Sequence, residues 1–297
     1  MRQIPDSELI LDSEGRIYHL HLRPEDIAHT ILTVGDPSRV ARISRHFDRI
    51  DYRGERREFI THTGWYKDRR ITVLSTGIGP DNIDIALNEL DALVNIDLET
   101  RLVKEEHTTL NLIRVGTSGC IQPEIPVDST LISAFGIGLD NLMAFYDYHP
   151  TLSEATLYDE WRQFQEYTQR LPVRSYVVQA NHQLLEALGQ NMRSGITFTA
   201  PGFYGPQGRT LRAKSRMTLE TLQSIQHFSY QDLRITNFEM ETSAIYGLAR
   251  MLGHRAVSCN AIIANRADGT FSRDPKATVD QLIMEVLERI QELPSPD

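Results

Sequence analysis

The chain has 297 residues, 40% of them apolar, with a formal net charge of −9 at pH 7. That is enough apolar material for a sizeable core and excludes wholesale disorder. The acidic balance makes a nucleic-acid backbone a poor partner, while local basic groups could still hold a small anion.

Residues 1–17 read as an N-terminal arm, mixed and acidic, without the charged-then-apolar layout of an export signal. No apolar run approaches the ~18 residues that a membrane-spanning helix needs, so a cytoplasmic protein is expected, with no membrane partner. Tyr18–Leu22 (YHLHL) alternates and reads as a short extended piece. Thr30–Val34 reads as a buried strand ending in Gly35-Asp36-Pro37-Ser38-Arg39. Asp36 or Ser38 suits the cap of the following helix, Pro37 suits its first turn, and Val40, Ile43 and Phe47 form its apolar face. Residues 58–64 and 70–76 alternate around Lys67-Asp68-Arg69, the pattern of a hairpin, and run on into Ser75-Thr76-Gly77-Ile78-Gly79-Pro80. A helix follows with Ile83, Ala86, Leu87, Leu90 and Leu93 inward, and then a charged segment, 97–108, that reads as a surface insertion. Leu110–Val115 is an apolar strand broken by Gly116–Gly119, and Val127–Phe135 is a further strand. Helices are predicted over 151–170 and 181–190, and a strand over Gly195–Thr199. Residues 200–212 (APGFYGPQGRTLR) hold three glycines and two prolines, so a long loop is expected there, and long loops in compact domains are often functional. Ile235–Phe238 reads as a short strand and Met240–Gly253 as a helix stopped by Gly253. Ala256–Ala264 reads as a strand and Lys276–Leu293 as a closing helix. Strands alternate with helices and no repeat interrupts them, which favours one α/β domain over residues 1–297 with helices on both faces of a sheet. Cys120 and Cys259 sit in apolar strand-like runs and read as buried free thiols rather than a disulfide pair. A catalytic thiol at Cys120 would need a fixed base, and none is evident beside it.

Chemistry concentrates at the strand ends. A buried strand entering Gly116-Thr117-Ser118-Gly119 would leave several backbone N–H groups pointing one way, a concavity suited to an anion. Thr117 and Ser118 add hydroxyl donors, and Arg114 adds a fork-shaped charge that matches phosphate. Read alone, the stretch is also a plain strand-ending turn with an arginine paired to some carboxylate. Gly35-Asp36, Gly77-Ile78-Gly79, Asn237–Glu241 and Asn265-Arg266 mark four further ends, and ligands of α/β sheets gather beyond such ends. Glu239-Met240-Glu241 is open to two readings. Its acids complement a helix dipole, or one of them, Glu241, grips a sugar cis-diol. In the long loop the Gln207 amide and Arg209 match the carbonyl, N–H, carbonyl edge of uracil, and Phe203 offers a stacking face. Without that context the same three are solvated loop residues. No His/Cys/Asp spacing points to a metal.

The ordered set GDPSRV, RREF, STGIG, RVGTSG, PQGR, FEMETSA and IIANR resembles the nucleoside phosphorylases of the uridine phosphorylase kind over roughly residues 18–292. The resemblance implies a three-layer αβα sandwich around a central mixed, distorted β-sheet. It also implies a homo-oligomer, a hexamer built as a trimer of dimers with active sites shared across each dimer. The implied reaction is reversible phosphorolysis of uridine to uracil and ribose 1-phosphate in pyrimidine salvage, with phosphate as co-substrate, no cofactor, and Arg114, Arg266 and Glu241 as catalytic residues. By position, phosphate falls to Gly35, Arg39, Arg114 and Thr117, with Arg57 arriving from the neighbouring subunit. Ribose falls to Met240 and Glu241, with His19 reaching its 5′-hydroxyl from the neighbour. The base falls to Phe203, Gln207, Arg209 and Ile263, with Arg266 acting on a uracil carbonyl through water. Purine-cleaving relatives carry a Ser-Asp pair where this chain has Ile263-Ala264-Asn265, and that missing acid, with Gln207 and Arg209, favours a pyrimidine. A purine nucleoside phosphorylase, a hydrolytic nucleosidase on the same scaffold and a non-catalytic nucleoside-binding protein are the alternatives. The chain departs from the compact bacterial pattern in its longer arm and its insertion. It also lacks the acid between the glutamine and arginine of PQGR, and has Pro80-Asp81-Asn82 in place of a second glycine. Some members of the family hold a monovalent cation at the dimer interface through a glutamate matching Glu58.

Overall fold

The computed structural model describes residues 3–168 and 171–294. In chain order its elements are β1 (Thr30–Val34), α1 (Ser38–Ser44), β2 (Arg49–Arg56), β3 (Phe59–Tyr66), β4 (Arg69–Ser75), α2 (Pro80–Asn95), β5 (Ile96–Asp97), β6 (Leu102–Val103) and β7 (Asn111–Cys120). They continue as β8 (Thr130–Gly138), α3 (Leu152–Tyr167), β9 (Tyr176–Gln179), α4 (His182–Leu188), β10 (Arg193–Thr199), α5 (Leu219–Ile225), β11 (Ser229–Tyr230), β12 (Leu233–Glu239), α6 (Thr242–Met251), β13 (Arg255–Asn265), β14 (Thr270–Phe271) and α7 (Pro275–Ile290).

One mixed sheet organises the chain, in the order β11-β12-β10-β8-β13-β7-β1-β4-β3-β2. Its centre is parallel: β1 pairs with β4 and β7, and β7 with β13. These strands are buried on both faces and read as near-continuous apolar runs, the pattern expected when helices cover both sides. The sheet also curls onto itself. β12 pairs antiparallel with β7 through Asn237–Cys120 and Phe238–Gly119, so β7, β13, β8, β10 and β12 close a five-stranded ring. Register breaks between Ile262 and Ala264 and between Gly195 and Ile196 supply the bending that closure needs. Helices α2 and α6 pack together on one side, and α1, α4 and α7 on the other, where Arg42 of α1 pairs with Asp280 of α7 at 2.9 Å. The expected αβα layering and distorted mixed sheet are therefore what the chain adopts.

Local chemistry explains several boundaries. Thr151 and Glu154 make a capping box at the start of α3, and Asn181 caps α4 by accepting from the Leu184 N–H at 3.1 Å. Residues 169–170, the end of the expected 151–170 helix, lie outside the described residues. Asp36 accepts from the Ser38 N–H at 2.9 Å, so it forms the turn before α1 instead of serving as its cap.

Three expectations, at 18–22, 116–119 and 127–135, are corrected, and the charged segment at 97–108 gains detail. The YHLHL piece is a turn, not an extended segment: Leu20 and Leu22 are buried, and the Ile17 N–H donates across the turn to the Leu22 carbonyl at 3.0 Å. The alternation there reflects two leucines dropping into the core around a turn. The Gly116–Gly119 break is no turn either, because β7 runs through it to Cys120, paired with β13 and then with β12. Its β13 edge is engaged in the ladder, while β1 pairs only as far as Arg114 and β12 only from Gly119, so the other edge of this stretch carries no strand partner between them among the described residues. The charged segment at 97–108 contains the β5–β6 hairpin and receives the N-terminal arm: the Ile4 N–H donates to the Arg101 carbonyl at 3.0 Å, and Arg101 Nε returns a bond to the Ile4 carbonyl at 2.9 Å. The strand expected at 127–135 lies at Thr130–Gly138, after Asp128 turns with φ of 66°.

Candidate active site

Because β1, β7 and β13 run parallel, their carboxyl ends open on one edge of the sheet, and α6 begins beside them at the end of β12. A cleft of about 250 Å³ lies there. Gly35, Arg39, Arg114, Thr117, Met240 and Glu241 line it. Phe203, Gln207, Arg209 and Ile263 line it as well. Residues separated by more than two hundred positions thus meet in one depression.

Arg114 is the hub. It projects from β7, fully buried, and donates from Nε and Nη2 to Glu241 Oε2 at 3.2 and 2.7 Å, and from Nη1 to Asn260 Oδ1 at 2.8 Å and Ser258 Oγ at 3.3 Å. Its Nη2 also lies 3.2 Å from Glu239. The guanidinium can lie flat along the strand only because position 116 carries no side chain: a Cβ there would collide with Nη1. Glycine in this strand is therefore a place cleared for an arginine, a role that the turn reading hid. Burial opposes the charge on Arg114, but Glu239 and Glu241 outweigh it and hold the group above its ordinary pKa. One cation shared by two acids leaves Glu241 short of compensation, so burial, with the Glu239 charge, pushes its carboxyl above the usual range.

The two acids of Glu239-Met240-Glu241 divide the readings between them. Glu239 Oε2 accepts the N–H groups of Glu241 and Thr242 at 2.8 and 2.9 Å, and Oε1 accepts the Thr199 hydroxyl at 2.7 Å, so this side chain caps α6. Glu241 faces the cleft, with Oε1 accepting from the Gly79 N–H at 2.9 Å. Gly79 has φ of 105°, a conformation open to glycine, which is why the STGIG loop can present that amide.

Arg39 reaches the cleft from α1. Its Nη1 donates to the Val115 carbonyl at 2.9 Å, while its buried Nε has no partner. Burial and the neighbouring Arg114 lower its pKa to about 10, still far above neutrality. A buried, under-partnered cation is a standing anion site, since burying charge without compensation is costly.

At the opposite end the loop satisfies itself. Gln207 is buried and accepts at Oε1 from Arg209, which also donates to the Phe203 carbonyl at 2.8 Å and lies 3.8 Å above the Phe203 ring centroid. Arg266, just past β13, donates to the Gln207 carbonyl, and burial with the nearby Arg209 charge lowers its pKa to about 10. Two residues the sequence reading did not single out also line the cleft: Phe238, buried on β12, and Phe271, which β14 holds opposite Ala264 with 64% of its surface exposed. Asn260 and Ser258 were missed as well. The available signal was a pair of polar residues inside the apolar run of β13, since a buried polar side chain needs a partner.

His19 and Arg57 do not line the cleft of their own chain. They gather elsewhere around Tyr18: its ring meets the His19 ring edge-on at 4.9 Å, and the Arg57 guanidinium lies 5.8 Å from its centroid. Glu58 and Asn82 both crowd Gly77 in the STGIG loop. Cys120 is buried and its thiol is pushed up to about 11 by that burial, which argues against a nucleophile. A separate cluster, Asp91, His107 and His254, was invisible in sequence spacing. His254 Nδ1 accepts the Leu110 N–H at 3.2 Å, so the ring proton sits on Nε2, 3.2 Å from Asp91. His107 Nε2 donates to the Leu252 carbonyl at 2.9 Å. His254 Nδ1 and His107 Nε2 are thus engaged by the backbone, while His254 Nε2 makes no hydrogen bond among the described residues.

Comparison with known proteins agrees with this geometry. The model of the Phosphorylase superfamily matches residues 29–293. The uridine phosphorylase of Thermococcus kodakarensis is 32% identical over 267 residues, spanning 88% of this chain and 81% of that protein. The uridine phosphorylase of Haemophilus influenzae is 27% identical over 269 residues, or 89% and 92%. Among solved structures, a Trypanosoma brucei nucleoside phosphorylase described as showing uridine phosphorylase activity superposes with a TM-score of 0.85 at 27% identity, over 96% of this chain and 100% of that one. By sequence match, fold and the side chains gathered at its strand ends, this chain belongs to the phosphorylase superfamily.

Proposed function

We propose that the protein is a uridine phosphorylase, a pentosyltransferase that converts uridine and phosphate reversibly to uracil and ribose 1-phosphate. The observation that carries this reading is the meeting in one cleft of an under-partnered buried cation at Arg39, a carboxylate at Glu241 and a Gln-Arg reader at Gln207 and Arg209. Phosphate would lie between Arg39, Arg114 and Thr117 and attack C1′ as the glycosidic bond stretches. The sugar passes through an oxocarbenium-like state, as in other glycosyl cleavages, and the phosphate dianion stabilises it. Glu241 holds the ribose diol, so that nucleophile and anomeric carbon meet at attack distance. Uracil leaves with negative charge on its carbonyl oxygens, which Gln207, Arg209 and Arg266 stabilise. One well-placed donor of this kind contributes roughly 3 kcal/mol. The missing acid at Ile263-Ala264-Asn265 supports a pyrimidine, because a purine leaving group is usually helped by protonation of its ring.

The reading extends to a hexamer, a trimer of dimers, in which each cleft borrows His19 and Arg57 from its neighbour. The gathering of these two side chains around Tyr18, away from their own cleft, supports it. Mixed oligomers of a His19 variant and a Glu241 variant should recover part of the lost activity, and no recovery between folded variants would rule out shared sites. The function itself is tested by a nucleoside panel assayed with and without phosphate, following absorbance of the released base. Uridine should turn over only with phosphate. Phosphate-independent release indicates a hydrolase, inosine turnover matching uridine moves the assignment to purines, and binding without turnover leaves a nucleoside-binding protein.

A further inference from the structure

The turn that carries His19 is held from below by one carboxylate. Glu89, on α2, accepts the His19 backbone N–H at 3.1 Å on both of its oxygens and the Leu20 N–H at 2.8 Å on Oε2. Its Oε1 lies 2.6 Å from His19 Nδ1. The Glu89 side chain is 14% exposed and that of His19 26%. The turn is anchored by burial of Ile17 before it and of Leu20 and Leu22 after His19, so the backbone presents these donors to Glu89 in a fixed pose.

We infer that Glu89 is a positioning residue for His19: it fixes both the orientation of the ring and the nitrogen that carries the proton. A carboxylate can only accept, so Nδ1 must donate to it, and a neutral ring then carries its lone pair on Nε2. Nε2 makes no hydrogen bond within the chain among the described residues and is the nitrogen left to meet a ligand hydroxyl. Two oxygens serve three donors from one turn, so ring pose and backbone pose are set together. Glutamine at this position offers one acceptor oxygen and turns an NH2 group toward those donors. Glu89→Gln keeps the shape and breaks the arrangement.

This inference rests on the reading that His19 meets the ribose 5′-hydroxyl, and the two are tested separately by comparing uridine with 5′-deoxyuridine. The readout is the ratio of their kcat/KM values, which a general loss of stability or activity does not move. His19→Ala should bring the ratio toward one. Glu89→Gln should lower it on the order of tenfold, the usual scale for removing the partner that orients a functional imidazole. The double variant should fall no further than His19→Ala alone, and Glu89→Asp should recover part of the ratio. If His19→Ala collapses the ratio and Glu89→Gln leaves it at the wild-type value, the role of Glu89 is overturned. If His19→Ala itself leaves the ratio unchanged, the histidine does not meet the 5′-hydroxyl and the underlying reading fails. Nitrogen NMR of the His19 ring gives a second check: the proton should reside on Nδ1 in the wild type, and a ring protonated on Nε2 alone would overturn the assignment.

Discussion

At one end of the cleft, Arg114 of β7, Ser258 and Asn260 of β13, Glu239 at the end of β12 and Glu241 at the start of α6 are buried and linked through the Arg114 guanidinium. At the other, Phe203 sits exposed on a loop, Arg209 is half-buried and Gln207 is buried. The first end is set by sheet register. Arg114 and Ser258 are cross-strand partners, and Asn260 pairs with Gly116, so the acceptors for the guanidinium are fixed as soon as β7 and β13 align. The second end is set by its own short contacts: Arg209 spends donors on Gln207 and the Phe203 carbonyl, bonds that a base would have to replace. The difference suits the chemistry. The part that aligns nucleophile and sugar tolerates little error, while the part that reads a flat ring can exchange internal bonds for ligand bonds at modest cost.

That contrast is most severely tested at Arg114. Replacing it with alanine removes a group that positions phosphate and strands two buried acids. We expect kcat/KM to fall a hundredfold or more, a raised phosphate requirement, and a stability loss of about 3–5 kcal/mol in denaturant unfolding. Unchanged phosphate dependence in steady-state kinetics would remove Arg114 from the anion site. A subtler break is Gly116→Ala, which deletes no polar group yet places a methyl where the guanidinium lies. If register-fixed geometry is what matters, this variant should lose roughly tenfold to a hundredfold in kcat/KM, because displacements near 1 Å have that effect. Wild-type kinetics would show that the pose of Arg114 is not critical.

At the soft end, Gln207→Ala should raise the KM for uridine and lower its kcat/KM by roughly tenfold to a hundredfold, with the melting temperature close to wild type because the loop contributes little to the core. A large drop in melting temperature would mean that the loop is structural after all, and the two ends less different than they look. The smallest effect concerns the thiols. Burial holds Cys120 at about 11 and Cys259 at about 12, so at pH 8 about one Cys120 side chain in a thousand is thiolate. A disulfide reagent should therefore label neither in the folded protein and both after denaturation. Rapid labelling of Cys120 in the native state would place it in an accessible, activated setting.

Much of the site was legible in one dimension. Glycine- and proline-marked strand ends pointed to where the cleft would lie, because a chain that stops a strand to expose polar groups must use residues that permit sharp conformations. The carboxylate pair and the loop glutamine were visible as residue types whose donors and acceptors match a nucleoside. The Gly116–Gly119 stretch misled for the same reason: glycine signals a conformational need or a steric one, and the sequence does not say which. Here the need was steric, space for a guanidinium two residues back on the same face of β7.

By itself, then, the sequence determined the alternation of strands and helices, the buried centre of the sheet and the kinds of side chain available for chemistry, since these follow from periodicity and from the hydrogen-bonding inventory of each residue. Tertiary structure alone decided which acid caps a helix and which faces the cleft, that β12 returns to pair with β7, that Asn260 and Ser258 hold Arg114, and that Glu89 grips the turn bearing His19. Those outcomes depend on which distant strands come into register and which helix lies beneath a turn. They are settled by packing across the whole chain, which no local pattern encodes.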